Sequence, residues 1–397
     1  MRVLLTTESF LPYVSGVTVS VDTLARGLGA RGHEVLVLAP RPKPGAMIEP
    51  VGSPGPAPRY AWLPSYQLPS VVPEGYRMPW PQPWTDAMAA ATAFGPDVVH
   101  AHSPFVSGLM GRRAARAAGA PLVFTHHTRF ADYRHYLGPL ARPGAWLTDA
   151  YLRAFWAACA AIVAPSHDLA GEIRGRLPAL RRERVHVIPT GIDVRGLRAL
   201  AAIDVRAEAG WPAGSVVAVT LGRLAPEKSP TTVLEAAAVA MRRAPMLRLL
   251  VIGGGPSEGE LRRLAARPDL AGRVFLTGAL PRQDALARAA AGDLFAFASR
   301  TETQGLVLAE ALAVGLPVVA VDGPGVRDSV RDGIDGLVVE ADPEAGRSAR
   351  LAEAIVRLAT NPELRAGMAG HARADAERFS STRRVAEVEE LYRGLVG

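Results

Sequence analysis

"LFAFASRTETQGLVLAEALAVGLPVVAVD", residues 294–322, decides the fold of this chain. It opens on an apolar run, turns through a polar loop, continues as a helical pattern and returns to a second apolar run. Both runs are apolar on successive residues, so each is a strand covered on both faces, which is the habit of a parallel sheet. Ligands in such sheets sit at the carboxyl edge of the strands. The loop "RTETQG" lies there. Two glutamates stand eight positions apart across it, Glu302 before the helix and Glu310 inside it. Leu308, Ala311, Leu312 and Gly315 share the packing face of that helix, and Glu310 falls off it. Two carboxylates suit a ligand with two sets of hydroxyls, and N–H groups at a helix start suit phosphate between them. A nucleotide-sugar has that shape. The plainer account of Glu310 is a good helix former on a wet face.

The same rhythm extends in both directions. Residues 2–7, 34–40, 97–102, 121–127, 161–166 and 185–190 are short apolar runs, and so are 216–222, 248–255, 274–278, 294–299, 317–322 and 336–340. Helix-length segments separate most of them. A chain of 397 residues exceeds one ordinary core. The expectation is an α/β protein of two doubly wound Rossmann-like domains with parallel sheets. The boundaries expected are 1–190, 191–375, and a C-terminal helix over 376–397 packing back on the first domain; Gly191 in "IPTGIDV" marks the division. Twelve prolines between Arg41 and Trp84 break the rhythm and read as an irregular extended loop.

Charge is uneven. Residues 1–190 hold 19 of the 45 basic and 12 of the 38 acidic residues, so the net +7 lies wholly in that part. An anionic partner for the first domain is one reading, and an arginine-rich coding bias is the other. The lone Cys159 excludes an internal disulfide and a cysteine metal cluster. No apolar run reaches the roughly 18 residues of a membrane span, and "MRVLLTTESFLP" reads as a first strand and not a signal peptide. A cytoplasmic protein resting peripherally on the inner face of the membrane is expected, with no nucleic-acid partner.

Further loops carry chemistry. In "LGRLAPEKSPTTVLEAAA" (221–238), Arg223 and Lys228 follow a strand end, and Ser229–Pro230 should be N-cap and first helical residue. Two cations beside a helix N-terminus can hold a diphosphate and stabilise it as a leaving group without a metal. "VIGGGPSEGE" (251–260) puts Gly253 and Gly255 at another strand end, close to the donor, but lacks the dinucleotide fingerprint. Gly16 closes a loop entering the first long helix. His100 and His102 end one strand, while His126 and His127 end another. All four could face one crevice; His100 is taken as structural, and a crevice role is given to His126 or His127.

With these residues in hand, the chain resembles a retaining glycosyltransferase of family 4 and GT-B architecture, with two sheets facing across a cleft. "TETQGLVLAEALAVGLPVVA" is similar to that family's Glu-x7-Glu signature, "GRLAPEK" to its diphosphate loop, "PTGID" to its interdomain turn, and "VSGVTVSV" to its N-terminal glycine loop. The resemblance implies that Glu302 binds the donor sugar's hydroxyls and Glu310 the ribose diol. Arg223 and Lys228 neutralise the diphosphate, helped by backbone amides from Gln304 through Gly305 and Leu306 to Val307. His127 lies beside the anomeric carbon, and Gly16 against the diphosphate. Donor binding is expected to be metal-independent, without a cofactor, although stimulation by magnesium is compatible with it.

"TETQGL" and "FTHHTRFADYRHYLGP" are similar to the diacylglycerol glucosyltransferase branch, which implies UDP-glucose as donor and a membrane lipid as acceptor. A soluble acceptor, phosphatidylinositol or a GDP-mannose donor is the alternative. From Arg129 to Trp156, Arg129, Arg134, Arg142 and Arg153 interleave with Phe130, Tyr133, Tyr136, Trp146, Tyr151, Phe155 and Trp156. Such a segment suits an anionic membrane and a lipid acceptor, with Arg129, Tyr133, Arg134 and Tyr136 at the contact. The competing reading makes the rings helix core and the arginines its wet face.

Overall fold

The computed structural model describes residues 1–67, 76–80, 84–129 and 141–397. The chain divides into two compact units, Met1–Asp193 with Ser380–Gly397, and Val194–Phe379. In the first unit the strands are β1 (Arg2–Thr6), β2 (Glu34–Pro40), β3 (Arg59–Leu63), β4 (Ser65–Tyr66), β5 (Met78–Pro79), β6 (Val98–Ala101), β7 (Leu122–Thr125), β8 (Ala161–Ala164) and β9 (Val185–Val187). In the second they are β10 (Val216–Leu221), β11 (Leu247–Ile252), β12 (Val274–Leu276), β13 (Leu294–Phe297), β14 (Val318–Val321) and β15 (Gly336–Val339).

Seven strands of the first unit form one parallel sheet in the order β3-β2-β1-β6-β7-β8-β9. The second unit's parallel sheet runs β12-β11-β10-β13-β14-β15. Each of the twelve apolar runs is a strand; the central ones are buried on both faces, whereas β9, β12 and β15 at the sheet edges are only partly buried. Each sheet starts at a central strand, winds outward, then crosses back to begin on its other side. The crossing falls between β1 and β6 in the first unit and between β10 and β13 in the second. At such switch points the loops part and leave a crevice at the strand ends.

The proline-rich stretch corrects the expectation of a plain loop. "RYAWL" fits between Pro58 and Pro64 and adds β3 as an edge strand on β2. Prolines cannot donate to a ladder, so strand here is confined to an edge. The run-up to β3 is fastened by buried Asp22, whose Oδ2 accepts from the N–H groups of Val51 and Gly52, both at 3.0 Å. Arg26 pairs with the same carboxylate at 2.8 Å and donates to the Gly55 carbonyl at 3.0 Å.

The helix Ser381–Val396 belongs to the first unit. Ser381 N–H donates to the Ile192 carbonyl at 2.9 Å, so outgoing and returning chain lie side by side. A Cβ on Gly191 would come within 2.3 Å of Ser381 Cα, so only glycine fits at this approach. Further along the helix, burial pushes the Glu389 carboxyl up, but hydrogen bonds from Arg31, His33 and Arg393 outweigh it and hold it at about 2. Tyr392 is fully buried and its hydroxyl meets His100 Nδ1.

Candidate active site

In the second unit the two loops singled out by sequence meet at the switch point. Lys228 follows β10 and Glu302 follows β13; Lys228 Nζ donates to Glu302 Oε1 at 2.7 Å. Thr301 Oγ1 reinforces the junction by donating to the Glu227 carbonyl at 3.2 Å. Both partners of the ion pair are partly exposed, so each can turn to a ligand. Arg223 is exposed and only loosely attached, 3.5 Å from Glu227.

Local backbone explains how Lys228 is held. Pro226–Lys228 form a single 3-10 turn, and Ser229 then adopts φ 50°, ψ 45° before the helix Pro230–Arg243. Among the described residues it is the one non-glycine with positive φ, a conformation costing roughly 1–2 kcal/mol. Proline stands first in the helix as the sequence indicates, yet the Ser229 hydroxyl makes no capping bond. The capping expectation therefore fails on chemistry while holding on position. Left-handed backbone turns the hydroxyl away from the amides it would have covered.

Gly305 takes φ 75° as the residue before the helix Leu306–Ala313, a conformation that side chains avoid. No side chain caps this helix either. Gln304 is buried, its carbonyl accepting from Ser329 Oγ at 3.3 Å, while Leu306 and Val307 are half-buried. Glu310 is also buried, which removes the wet-face account. Its carboxylate is paired with Arg282, the first residue of the helix after β12. Sequence reading missed Arg282, because nothing local distinguishes it from a surface arginine. Gly253 and Gly255 have a packing reason of their own. A Cβ there would meet the Gly222 carbonyl oxygen at 1.9 Å and that of Leu224 at 2.4 Å, so they let the β11 loop lie against the Arg223 loop.

In the first unit, His100, His102 and His127 form a stack at the carboxyl ends of β6 and β7. Ring centroids are 4.3 Å apart between His100 and His102 and 5.2 Å between His102 and His127. His102 Nδ1 and His127 Nε2 share a hydrogen bond of 2.9 Å. His126 departs from the expected common crevice. As the neighbour of His127 it points to the opposite side of the chain, against Phe124 and Trp156. His100 is structural, held by Tyr392 and by Thr125 Oγ1 at 2.7 Å. Burial drives His127 down to about 4, and burial with the nearby His127 takes His100 and His126 down to about 3, so all three rings are neutral at physiological pH. Gly16 is the exposed first residue of the helix Gly16–Ala30, behind Ser15, whose side chain accepts from Thr18 N–H at 3.2 Å.

The expected membrane segment is corrected in part. Arg129 is largely buried and spent on two carboxylates, Asp168 and Glu172. Arg153 pairs with Asp149 at 2.8 Å. Phe155 and Trp156 are core. Phe130, Tyr133, Arg134, Tyr136 and the Arg142 side chain lie outside the described residues. A different face is apolar and exposed: Phe105 (40%), Leu109 (37%), Trp146 (67%) and Leu147 (60%). The Tyr151 ring stacks on Phe105 with centroids 6.0 Å apart. No helix among the described residues is long and apolar enough to cross a membrane.

Comparison with known proteins adds the following. Residues 14–195 match the family described as Glycosyltransferase Family 4, and residues 203–375 match Glycosyl transferases group 1. The chain is 32% identical to a GDP-mannose-dependent alpha-mannosyltransferase of Mycobacterium tuberculosis, over 90% of this chain and 88% of that one. It is 26% identical to the alpha-monoglucosyldiacylglycerol synthase of Acholeplasma laidlawii, over 100% and 98% respectively. The crystal structure of Anabaena HepE in complex with UDP and glucose shares the fold, with a TM-score of 0.74 over 100% of both chains at 20% identity.

Proposed function

Given that the chain belongs to the glycosyltransferases joining a Glycosyltransferase Family 4 domain to a group 1 domain, we propose that it moves glucose from UDP-glucose to a membrane lipid, diacylglycerol, retaining the anomeric configuration. The two doubly wound units are the GT-B architecture of that family. The observation that carries the reading is the Lys228–Glu302 pair at the switch point. A cation suited to a diphosphate and a carboxylate suited to sugar hydroxyls lie side by side there, which supports this reading. In the proposed step the acceptor oxygen attacks the anomeric carbon on the leaving group's own face. The bond from that carbon to the diphosphate oxygen breaks, and the departing diphosphate takes the acceptor's proton. Lys228 and Arg223 stabilise the charge that develops on it, with the amides from Gln304 to Val307. Glu302 orients the sugar, Glu310 holds the ribose diol, and Gly253 and Gly255 keep the adjoining loop close. His127 is neutral, so its ring carries no positive charge of its own.

UDP affinity, measured by calorimetry in excess chelator, is expected to equal that measured with magnesium. Abolition of binding by the chelator overturns the metal-independent reading. Radiolabelled UDP-glucose with dioleoylglycerol vesicles should give a labelled lipid whose anomeric proton shows retention. The GDP-mannose alternative draws on the 32% identity to a mannosyltransferase. Label entering lipid from GDP-mannose alone would establish it, and label entering only soluble sugars would refute the lipid acceptor.

Membrane docking is proposed for the face of Phe105, Leu109, Trp146 and Leu147. Arg113 and Arg116 lie one and two turns beyond Leu109 on the same side of the helix Val106–Ala118, both exposed. An arginine near an anionic surface contributes about 1 kcal/mol. Replacing both by glutamine should therefore weaken binding to phosphatidylglycerol vesicles roughly thirtyfold at low salt. UDP affinity should not move. Unchanged vesicle binding would rule this face out.

A further inference from the structure

The expected roles leave His102 unused. It stands one residue beyond β6, its backbone N–H donating to the Thr6 carbonyl at 2.8 Å. Its ring is buried against two other histidines. His100 lies 4.3 Å away between centroids and is itself fixed at both nitrogens by Tyr392 and Thr125. Toward His127, His102 Nδ1 and His127 Nε2 are 2.9 Å apart and the ring planes differ by 20°. The bond therefore lies close to both planes, where a ring N–H and a ring lone pair point.

Burial, then the nearby His100 and His127, hold His102 well below the usual histidine range, and burial does the same to His127. Both rings are neutral, each with one N–H and one bare nitrogen. A single hydrogen lies between them, and its owner decides two tautomers at once. If His127 donated from Nε2, His102 would have to carry its own hydrogen on Nε2. That nitrogen is buried and meets no hydrogen-bond partner among the described residues. A buried N–H without an acceptor is a rarer fault than an acceptor without a donor. The opposite arrangement leaves His102 Nε2 bare and strands no N–H. We infer that His102 is the positioning residue for His127: donating from Nδ1, it fixes His127 as the Nδ1–H tautomer, which offers an N–H to a ligand oxygen. With Nε2 capped and Nδ1 protonated, His127 keeps no lone pair with which to act as a base. The acceptor's proton then has to leave by another route, and the proposed step gives it to the diphosphate. This rests on the transferase reading above and adds to it the protonation of one ring.

The test reads the ring nitrogens by long-range proton–nitrogen NMR on the full chain with isotope-labelled histidine. The His127 signals are those lost in His127→Gln. Wild type should show His127 protonated at Nδ1 and bare at Nε2. His102→Phe keeps a ring beside His100 but has no N–H to give. There His127 should shift toward the Nε2–H tautomer, and kcat for transfer should fall about tenfold, the scale of losing the group that orients a histidine. UDP affinity should not change. His102→Asn gives up the ring but places an amide N–H where Nδ1–H stood, so it should restore the Nδ1–H tautomer and most of kcat. A role in packing alone predicts the reverse order, Phe above Asn. The wild-type tautomer is read without either His102 variant, so a substitution that does not fold leaves the inference open to refutation. His127 protonated at Nε2 in the wild type, wild-type kcat in His102→Phe, or Asn no better than Phe overturns it. If nothing is transferred from UDP-glucose to any acceptor, the proposed function falls, while the wild-type tautomer and its response to His102→Phe still decide whether His102 holds His127.

Discussion

Replacing Lys228 with alanine is expected to lower kcat by about 10²- to 10³-fold, the usual cost of losing one preorganised donor at developing charge. It should also weaken UDP. Lys228 is held between a 3-10 turn and the left-handed Ser229, so its ammonium is positioned before any ligand arrives. Once it is gone, Glu302 loses its 2.7 Å partner and faces the diphosphate as an unopposed negative charge. A purely structural ion pair would behave differently, because either partner's removal would then have the same consequence. We therefore expect Glu302→Ala to reduce kcat while leaving UDP affinity nearly intact, and Lys228→Ala with Glu302→Gln to recover part of the UDP affinity lost by Lys228→Ala alone. Calorimetry on the two singles and the double decides it. Equal losses of UDP binding in Lys228→Ala and Glu302→Ala would reduce the pair to a loop fastener.

Glu310→Ala is expected to weaken UDP by about 1–3 kcal/mol, the loss of hydrogen bonds to a charged group. Burial makes this test sharper than an exposed residue would. Arg282 already neutralises the carboxylate, so the ribose would gain an acceptor that is both fixed and electrically compensated. The substitution alone cannot separate ribose binding from loss of that ion pair, but the ligand can. Wild type should discriminate against 2′,3′-dideoxy-UDP by about the same factor that Glu310→Ala costs with UDP, and the variant should bind both nucleotides equally. A variant that still prefers the ribose would place its recognition elsewhere.

Much of the fold is legible in the residues themselves. Runs such as "VVAVTL" and "LFAF" are apolar on both faces, which leaves a chain little alternative to a covered parallel strand. Glu302, Lys228 and Arg223 stand out because they follow directly on strand ends. Adjacency is what a linear reading conceals. Lys228 and Glu302 are 74 residues apart, and they meet only because β10 and β13 are parallel neighbours at the point where the strand order reverses. Arg129 reads as a free cation because Asp168 and Glu172 come from a distant helix. Strand β3 is lost among prolines, since an edge strand that buries alternate residues gives a weaker signal than an apolar run. Glu310 misleads for the opposite reason: the helix Leu306–Ala313 has so little polar surface that its period gives no reliable wet side.

The seating of the helix Ser381–Val396 in the first unit also sets an order of events during synthesis. Val194–Phe379 is one uninterrupted stretch and holds all the partners of its own sheet. The first unit, although its strands are translated earlier, is interrupted. His100 waits for the Tyr392 hydroxyl, and Arg31 and His33 wait for Glu389, until the entire second unit has left the ribosome. Domains usually mature in the order they are made. Here the half translated first is the half completed last, and until then the His100 end of the histidine stack lacks one of its two hydroxyl partners.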